Sequence, residues 1–229
     1  KQLLIDDVIL GHDYPARRMV AAYAAQIELI DDQVGRMLDA LEATGQRENT
    51  IVIFTSDHGE MLGDHGLLWK GSRFYEGAVR IPLIFSWPGR FKEGLRSEAL
   101  VELTDSVPTL LEALDLPISS HIQGRSLMPI LTGERSPNTH RDFVRCEYHD
   151  ALGRTFASHA NMLRTDRYKL CIYHGQPVGE LYDLHEDPDE FVNLWDEPSL
   201  QSVKHELMKQ LFDAVMLAVD EGRERVGYY

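Results

Sequence analysis

The sequence predicts an α/β fold, in which a sheet flanked by helices is followed by a small antiparallel sheet and a terminal helix. Three observations lead to this prediction. Apolar residues recur at helical spacing from Arg17 to Leu41, a continuous apolar run extends from Ile51 to Phe54, and short strand patterns begin beyond about Gly133. An amphipathic helix, a short loop and a buried strand form half of an α/β unit.

The first predicted helix carries its apolar residues at alternating steps of three and four, so that they share one face. Gly45 stands where this helix should end. We therefore expect an amphipathic helix over Arg17 to Leu41 whose apolar stripe consists of Val20, Tyr23, Ile27, Ile30, Val34, Met37 and Leu41.

Strands are predicted next, from runs of apolar residues without polar alternation. Ile51 to Phe54 is a continuous β-branched and aromatic run, which is typical of a strand buried on both faces of a parallel sheet. Ile81 to Phe85 is a second such strand, closed by the turn "WPGR". We expect a third strand at Leu100 to Leu103, and Asp105 as the N-cap of a helix that runs through Leu114.

The second part of the chain has a different sequence pattern, with short predicted strands after a polar segment. We therefore place a domain boundary between residues 135 and 136. The segment "GERSPNTHRD" is predicted to be an exposed linker. A tight hairpin is expected at "TDR", between the second and third of four short strands, and a final helix from Ser199 to Glu221. The strands are Phe143 to Tyr148, Asn161 to Thr165, Tyr168 to Tyr173 and Glu180 to Leu184, and the helix has an apolar face of Leu200, Val203, Leu207, Leu211, Val215 and Val219.

Composition excludes several classes of protein. The chain has 229 residues, 43% of them hydrophobic, with a formal net charge of −14. No apolar run approaches the roughly 20 residues of a membrane span, and so acidic a chain is a poor partner for nucleic acid. An anionic substrate would need a metal ion or a few placed cations. The two cysteines, Cys146 and Cys171, are too few for a disulfide scaffold and indicate no compartment.

The stretch "TSDHGEMLGDHGLLWKG" is the strongest candidate for a functional site. Asp57 and His58 come directly after the predicted strand, where reactive groups gather in open parallel sheets. A single Asp-His pair is commonly only a turn cap beside a loop histidine. Here three glycines, a second Asp-His pair and the cation of Lys70 follow, and this combination favours a site for an anionic group.

Together with "FYEGAVRIPLIF", this stretch resembles the sulfatase family of the alkaline phosphatase superfamily. The resemblance extends in family order over "YAAQIELIDDQVGRMLDALE", "LTDSVPTLLEALDL", "IQGRSLMPILTGE", "RYKLCIY" and "ELYDLHEDPDEFVNL". It implies hydrolysis of a small-molecule sulfuric ester. It also implies that residues 1–135 hold part of an alkaline-phosphatase-like sheet from the catalytic core, and residues 136–229 the C-terminal subdomain.

The resemblance implies roles for individual residues. Asp57 and His58 would be metal ligands, and Lys70 would hold a sulfate oxygen and compensate charge that develops toward the leaving oxygen. For His65 we expect a contact with substrate or leaving group, with loop packing as an equal alternative. Asp64 is expected to be structural.

The identity of the metal depends on an unusual ligand. A carboxylate suits Ca²⁺ or Mg²⁺, but His58 stands where some sulfatases have Asn, and imidazole suits Mn²⁺ or Zn²⁺ better. We expect Ca²⁺, with Mn²⁺ or Mg²⁺ as alternatives. His58 could also stand beside the metal and touch the nucleophile. His149, in "EYHD", is expected either at the substrate pocket or as a surface histidine.

The formylglycine nucleophile of sulfatases, made from Cys or Ser in a Cys/Ser-x-Pro/Ala-x-Arg segment, has no counterpart here. Neither cysteine stands in such a segment, and Ser86 in "SWPGR" fits only the bare pattern, since it ends a strand. The acidic metal ligands near the family's N-terminus are also absent. We therefore expect a C-terminal half that is inactive alone, with the formylglycine in the missing half. We expect this half either to associate, with a homodimer as one form, or to be a proteolytic remnant.

Two other functions stay open at this point. A phosphonate monoester or phosphodiester hydrolase of the same superfamily is one, because His58 occurs in that branch and tetrahedral oxyanions differ more in charge than in shape. A non-catalytic binding module is the other. An in-frame formylglycine segment upstream would discriminate between a fragment of an enzyme and a degenerate protein.

Overall fold

The computed structural model describes residues 16–70, 72–149 and 159–218. These residues form two units, one of residues 16–96 with Leu131–Arg135 and the other of Ser97–Ile130 with residues 136–218. The predicted α/β class is confirmed, since helices accompany a two-stranded sheet and a four-stranded sheet. The boundary between residues 135 and 136 stays a prediction. Within the described ranges, no helix combines the length and the apolar character that a bilayer span requires.

The first helix, α1, spans Ala16–Ala43 and extends slightly beyond the predicted range. Its end is the predicted one, because Gly45 adopts a left-handed φ of 66° while Gln46 N donates to Leu41 O at 2.9 Å. The apolar stripe of α1 is largely exposed to solvent, with Ile27 and Ile30 both more than half accessible.

In the first unit, strands β1 (Val52–Thr55) and β2 (Leu83–Ser86) pair antiparallel, with Val52 opposite Ser86. The short helix α2 (Glu76–Val79) lies between them in sequence. The expectation of parallel strands buried on both faces is wrong for this pair, and Ile84 is more than half exposed. The physical reason is that a continuous apolar run reports hydrophobicity only, and carries no information on the direction of the neighbouring strand.

The second unit begins with a turn where a third strand was expected. Leu100–Leu103 form no strand, because Glu102 N donates to Asp105 Oδ2 at 2.8 Å and the chain turns through Leu103–Asp105. Helix α3 then spans Ser106–Ala113 with Asp105 in the predicted N-cap position. The Asp105 side chain does not cap α3, since it is engaged by this turn.

The remaining strands of the second unit form one antiparallel sheet in chain order, β3-β4-β5-β6, and their ends agree with prediction to within two residues. The expected hairpin is present, with Tyr168 N donating to Thr165 Oγ1 at 2.9 Å. Strand bounds are Phe143–His149, His159–Thr165, Tyr168–Tyr173 and Gly179–Asp183.

The core of the second unit lies between this sheet and helix α5 (Gln201–Met216). The predicted apolar face of α5 is confirmed for the residues that the structure describes, and Val219 lies outside them. The buried cluster consists of Leu163, Leu170, Leu181, Leu207 and Leu211. Met128–Leu131 form a further short helix, α4.

The expectation of an exposed linker at "GERSPNTHRD" is wrong near its end. His140 and Arg141 have almost completely buried side chains. His140 Nε2 lies 3.4 Å from Asp105 Oδ2, and Arg141 forms an ion pair with the same carboxylate. These polar side chains are buried because the fully buried Asp105 supplies their counter-charge.

Candidate functional site

Asp57 and His58 lie directly after β1, in a loop held by its own short hydrogen bonds. Ser56 Oγ donates to His58 O at 2.7 Å, and His58 N donates to Asp57 Oδ1 at 3.0 Å. These bonds fold the chain back at the end of the strand. Both side chains are thereby held close to each other.

The hydrogen bond of His58 defines its tautomer. Nδ1 lies 2.9 Å from Gly59 O, and because a carbonyl oxygen only accepts, Nδ1 must carry the proton. In the neutral ring Nε2 then keeps its lone pair, and it lies 3.4 Å from Asp57 Oδ2. Two donors bound at about 2.0–2.2 Å to one ion lie roughly 3–3.5 Å apart, so this pair fits a divalent cation.

The Asp57 carboxylate is suited to bind a cation. Its side chain is 81% exposed, and the hydrogen bond from His58 N holds the pKa of Asp57 below its usual value. The described ranges contain no group of three or more His, Cys, Asp and Glu side chains gathered as metal ligands. Asp57 and His58 therefore supply only part of a coordination shell.

Gly59 connects this loop to helix α2 at close range. Gly59 N donates to Ala78 O at 2.7 Å. A Cβ at residue 59 would overlap the carbonyl oxygen of Gly77 and lie 3.3 Å from Ala78 Cα. Only glycine allows this approach of two backbones, and this contact holds the Asp57-His58 loop in place.

His65 lies in a loop of unusual backbone geometry. Gly63, His65 and Gly66 all have positive φ, of 103°, 51° and 73°. The His65 ring stacks on Tyr75, with centroids 3.9 Å apart and an interplanar angle of 11°, and its side chain is only 11% exposed. His65 N also donates to Asp64 Oδ1 at 3.0 Å. The ring is thus packed, and its role as a substrate or leaving-group contact stays a prediction.

The two remaining candidates are exposed. Lys70 is exposed beside Trp69 in the first unit. His149 ends β3 in the second unit, with a side chain that is 62% exposed. The structure therefore brings Asp57 and His58 together directly, and it places His65 against Tyr75. The roles of Lys70 and His149 stay predictions.

Sequence reasoning missed Tyr75. The aromatic residue just before α2, in "FYEGAV", could be seen in the sequence. Its contact with His65 could not be predicted, because it depends on the path of the loop between the two residues. Reasoning from sequence also missed the buried cluster of Asp105 with His140 and Arg141. No local pattern relates these residues, because α3 and α4 separate the first from the other two along the chain.

Two family models match this chain. The sulfatase model matches residues 7–116, and the model described as N-sulphoglucosamine sulphohydrolase, C-terminal, matches residues 63–216. The second match covers most of the chain. Together, the two matches include the Asp57-His58 loop, Lys70 and the whole four-stranded sheet.

Individual proteins that resemble this chain include a sulfatase and a solved structure with a bound sulfated sugar. The N-acetylglucosamine-6-O-sulfatase of Bacteroides thetaiotaomicron is 34% identical over 192 residues, which is 82% of this chain and 34% of that protein. A solved structure in complex with its substrate D-glucosamine-2-N,6-O-disulfate superposes with a TM-score of 0.78 and 31% identity, over 90% of this chain and 42% of the other.

A phosphonate monoester hydrolase from Silicibacter pomeroyi resembles this chain to about the same degree. Its structure superposes with a TM-score of 0.76 and 30% identity, over 84% of this chain and 40% of the other. This chain thus spans about a third to two fifths of the length of the three proteins compared.

Proposed function

Because this chain belongs to the sulfatase family, we propose that it supplies metal-binding and sulfate-binding side chains to a metal-dependent hydrolase of sulfuric esters. The observation that carries the proposal is the 3.4 Å separation of Asp57 Oδ2 and His58 Nε2 directly behind β1. The chain spans only part of its relatives. We accordingly propose that it is the C-terminal half of the enzyme.

Asp57 and His58 are the proposed metal ligands. Asp57 contributes an anionic carboxylate whose pKa is held below its usual value, and His58 contributes the lone pair of Nε2 when its ring is neutral. A bound divalent ion would neutralise and polarise the sulfuryl group. The carboxylate favours Ca²⁺ or Mg²⁺, whereas His58 extends the range to Mn²⁺.

The other side chains act on the substrate. Lys70 is proposed to hold a sulfate oxygen and to compensate negative charge as the ester bond breaks. His65 is proposed to contact the substrate or the leaving group, with Tyr75 fixing the plane of its ring. His149 is proposed either to contact substrate or to be a surface histidine.

We propose that the nucleophile comes from residues outside this sequence. The thiol of Cys146 is a poor candidate, because burial raises its pKa, and Cys171 is buried in the sheet. Ser86 ends β2 and its Oγ accepts a hydrogen bond from Arg47. We therefore propose that a formylglycine from the remainder of the enzyme attacks the ester, and that this chain alone hydrolyses neither sulfate nor phosphonate esters.

For the substrate we propose a sulfate ester of a sugar. The support is that two of the similar proteins carry sulfated aminosugars in their descriptions. The runner-up is a phosphonate monoester, since the hydrolase from Silicibacter pomeroyi is about as similar. A tetrahedral oxyanion with one ester bond would meet the same metal ion and lysine in either case.

The first test is the reading frame upstream of Lys1. A Cys/Ser-x-Pro/Ala-x-Arg segment in that frame is the expected result, and its absence would favour the non-catalytic binding module. The protein encoded by the whole reading frame should hydrolyse an aryl sulfate and a sugar sulfate faster than a phosphonate monoester. The reverse order of rates would favour the runner-up.

In the protein encoded by the whole reading frame, Lys70→Ala should lower kcat/KM by about a hundredfold or more. This factor is equivalent to about 2.7 kcal/mol of transition-state stabilisation. The melting temperature should barely change, because Lys70 is exposed. Lys209→Ala is the matched control, since Lys209 is an exposed lysine on α5 with only a local partner, Asp213. A lower melting temperature with unchanged kinetics would assign Lys70 a structural role.

A further inference from the structure

The second unit aligns three histidines at one end of its sheet. His149 on β3 lies directly opposite His159 on β4. The backbone N–H of His174, just after β5, donates to His159 O at 2.8 Å. Neighbouring strands lie about 4.8 Å apart, so these residues form one row across three strands with side chains within reach of each other.

Two of the three imidazoles have a spacing that suits a shared metal ion. The ring centroids of His149 and His159 lie 5.4 Å apart, and the rings are tilted by 59°. Two imidazoles bound through one nitrogen each, at about 2.0–2.1 Å and near-tetrahedral angles, have centroids roughly 5 Å apart. The centroid separation of the observed pair is close to this value, and the exposure of His149 leaves its ring open to ions from solvent.

One carboxylate lies beside the pair, and its other oxygen, Glu147 Oε1, is 3.0 Å from Arg145 Nη1. Glu147 Oε2 lies 3.8 Å from His149 Nε2, so a carboxylate stands beside one of the two rings. His174 plays a supporting part. Its Nε2 lies 2.6 Å from Asn161 Oδ1, an oxygen that only accepts, so this nitrogen carries a proton and holds no lone pair for a metal.

We propose that His149 and His159 form a surface site for a divalent ion that prefers imidazole, such as Zn²⁺, Ni²⁺ or Cu²⁺, with Glu147 as its acidic neighbour. Because nowhere in the described residues do three or more such side chains gather as metal ligands, the protein supplies two nitrogens and water completes the shell. Ca²⁺ and Mg²⁺ take oxygen ligands and do not bind here. The site shares no residue with the Asp57-His58 pair.

The test is calorimetric titration of Zn²⁺ and Ni²⁺ into this chain, in an Asp57→Asn, His58→Ala background that removes the other candidate metal pair. One ion per chain is expected to bind. His149→Ala and His159→Ala should each weaken binding by about tenfold or more, as each removes one of two ligands. His205→Ala is the matched control, because His205 is an exposed histidine on α5 in the same unit.

A second measurement distinguishes the loss of a metal ligand from misfolding of a variant. Zn²⁺ should raise the melting temperature of the parent chain, and His149→Gln, which keeps a polar side chain of similar length, should remove most of that rise. Binding that survives both alanine variants, that is lost in only one of them, or that Ca²⁺ reproduces would overturn the proposal, as would no binding at millimolar Zn²⁺.

Discussion

Gly59 is the residue at which the candidate site depends most on the absence of a side chain. Gly59→Ala would force a Cβ against the backbone of Gly77, where no flexible side chain can yield. We expect a loss of roughly 1–3 kcal/mol in the free energy of unfolding, as for other overpacked sites. Urea denaturation followed by circular dichroism measures it.

Gly35→Ala is the matched control for this prediction. Gly35 lies inside α1, and a Cβ at this residue would have no neighbouring atom within 4 Å, so alanine should stabilise the chain by roughly 0.5–1 kcal/mol. If both variants changed stability in the same direction, steric overlap at Gly59 would not be the cause.

Tyr75 is the residue that orients His65. Tyr75→Ala should move the His65 ring proton resonances downfield, because the ring current of a stacked aromatic at 3.9 Å is removed. Tyr75→Phe should leave them nearly in place, since the stacking ring remains. Proton–carbon NMR correlation spectra of the imidazoles measure this, and identical shifts in both variants would show that the stack does not persist in solution.

At the scale of elements, the turn before α3 holds the chain segment that leads into β3. Asp105 accepts hydrogen bonds from Glu102 N at 2.8 Å and Arg125 N at 2.7 Å, and it pairs with Arg141. Glu102 forms a second ion pair with Arg141, at 2.6 Å. Three separate stretches of the second unit are thereby joined at one buried carboxylate.

His140 makes this junction sensitive to pH. Burial lowers the pKa of His140, and the nearby Asp105 carboxylate opposes that shift without cancelling it. The unfolded chain therefore binds more protons in mild acid. Stability from this group is fully present above the unfolded value near pH 6.5, and it is lost as the pH falls through the lower folded value.

We expect His140→Gln to reduce the loss of stability between about pH 7.5 and about pH 5. Urea midpoints measured across that range provide the check. His205→Gln is the matched control, since His205 is an exposed histidine on α5 in the same unit. A steeper pH dependence in His140→Gln would contradict the buried neutral histidine.

At the scale of the whole molecule, the first unit exposes much apolar surface. Ile27 and Ile30 on α1 and Ile84 on β2 are each more than half exposed. Exposed apolar surface of this kind marks interaction sites in soluble proteins. We propose that this chain associates as a homodimer through α1.

The double variant Ile27→Glu, Ile30→Glu should shift the chain toward monomer in size-exclusion chromatography with light scattering. Its free energy of unfolding should stay within about 0.5 kcal/mol, because both side chains are exposed. Val107→Glu is the control, as Val107 is an exposed apolar residue of α3 in the second unit. A monomeric parent chain would contradict the association.

The sequence by itself determined α1, α5 and the four strands of the second unit, together with the position of the Asp57-His58 pair, but it wrongly placed a strand at Leu100 to Leu103. The spacing of apolar residues marked α1 and α5, and Gly45 marked the end of α1. The hairpin at Thr165 was also readable. These features follow from residues close together in the chain, whose side-chain period and turn chemistry are local properties.

Only the tertiary structure decided which of these segments meet. The antiparallel pairing of β1 with β2, the burial of His140 against Asp105, the stack of His65 on Tyr75 and the row formed by His149 with His159 were invisible in the sequence. Each joins residues that lie far apart along the chain or across a loop. These contacts depend on the direction of each strand and on the path of each loop. Both are set by the packing of the whole unit, and neither produces a periodic pattern in the sequence.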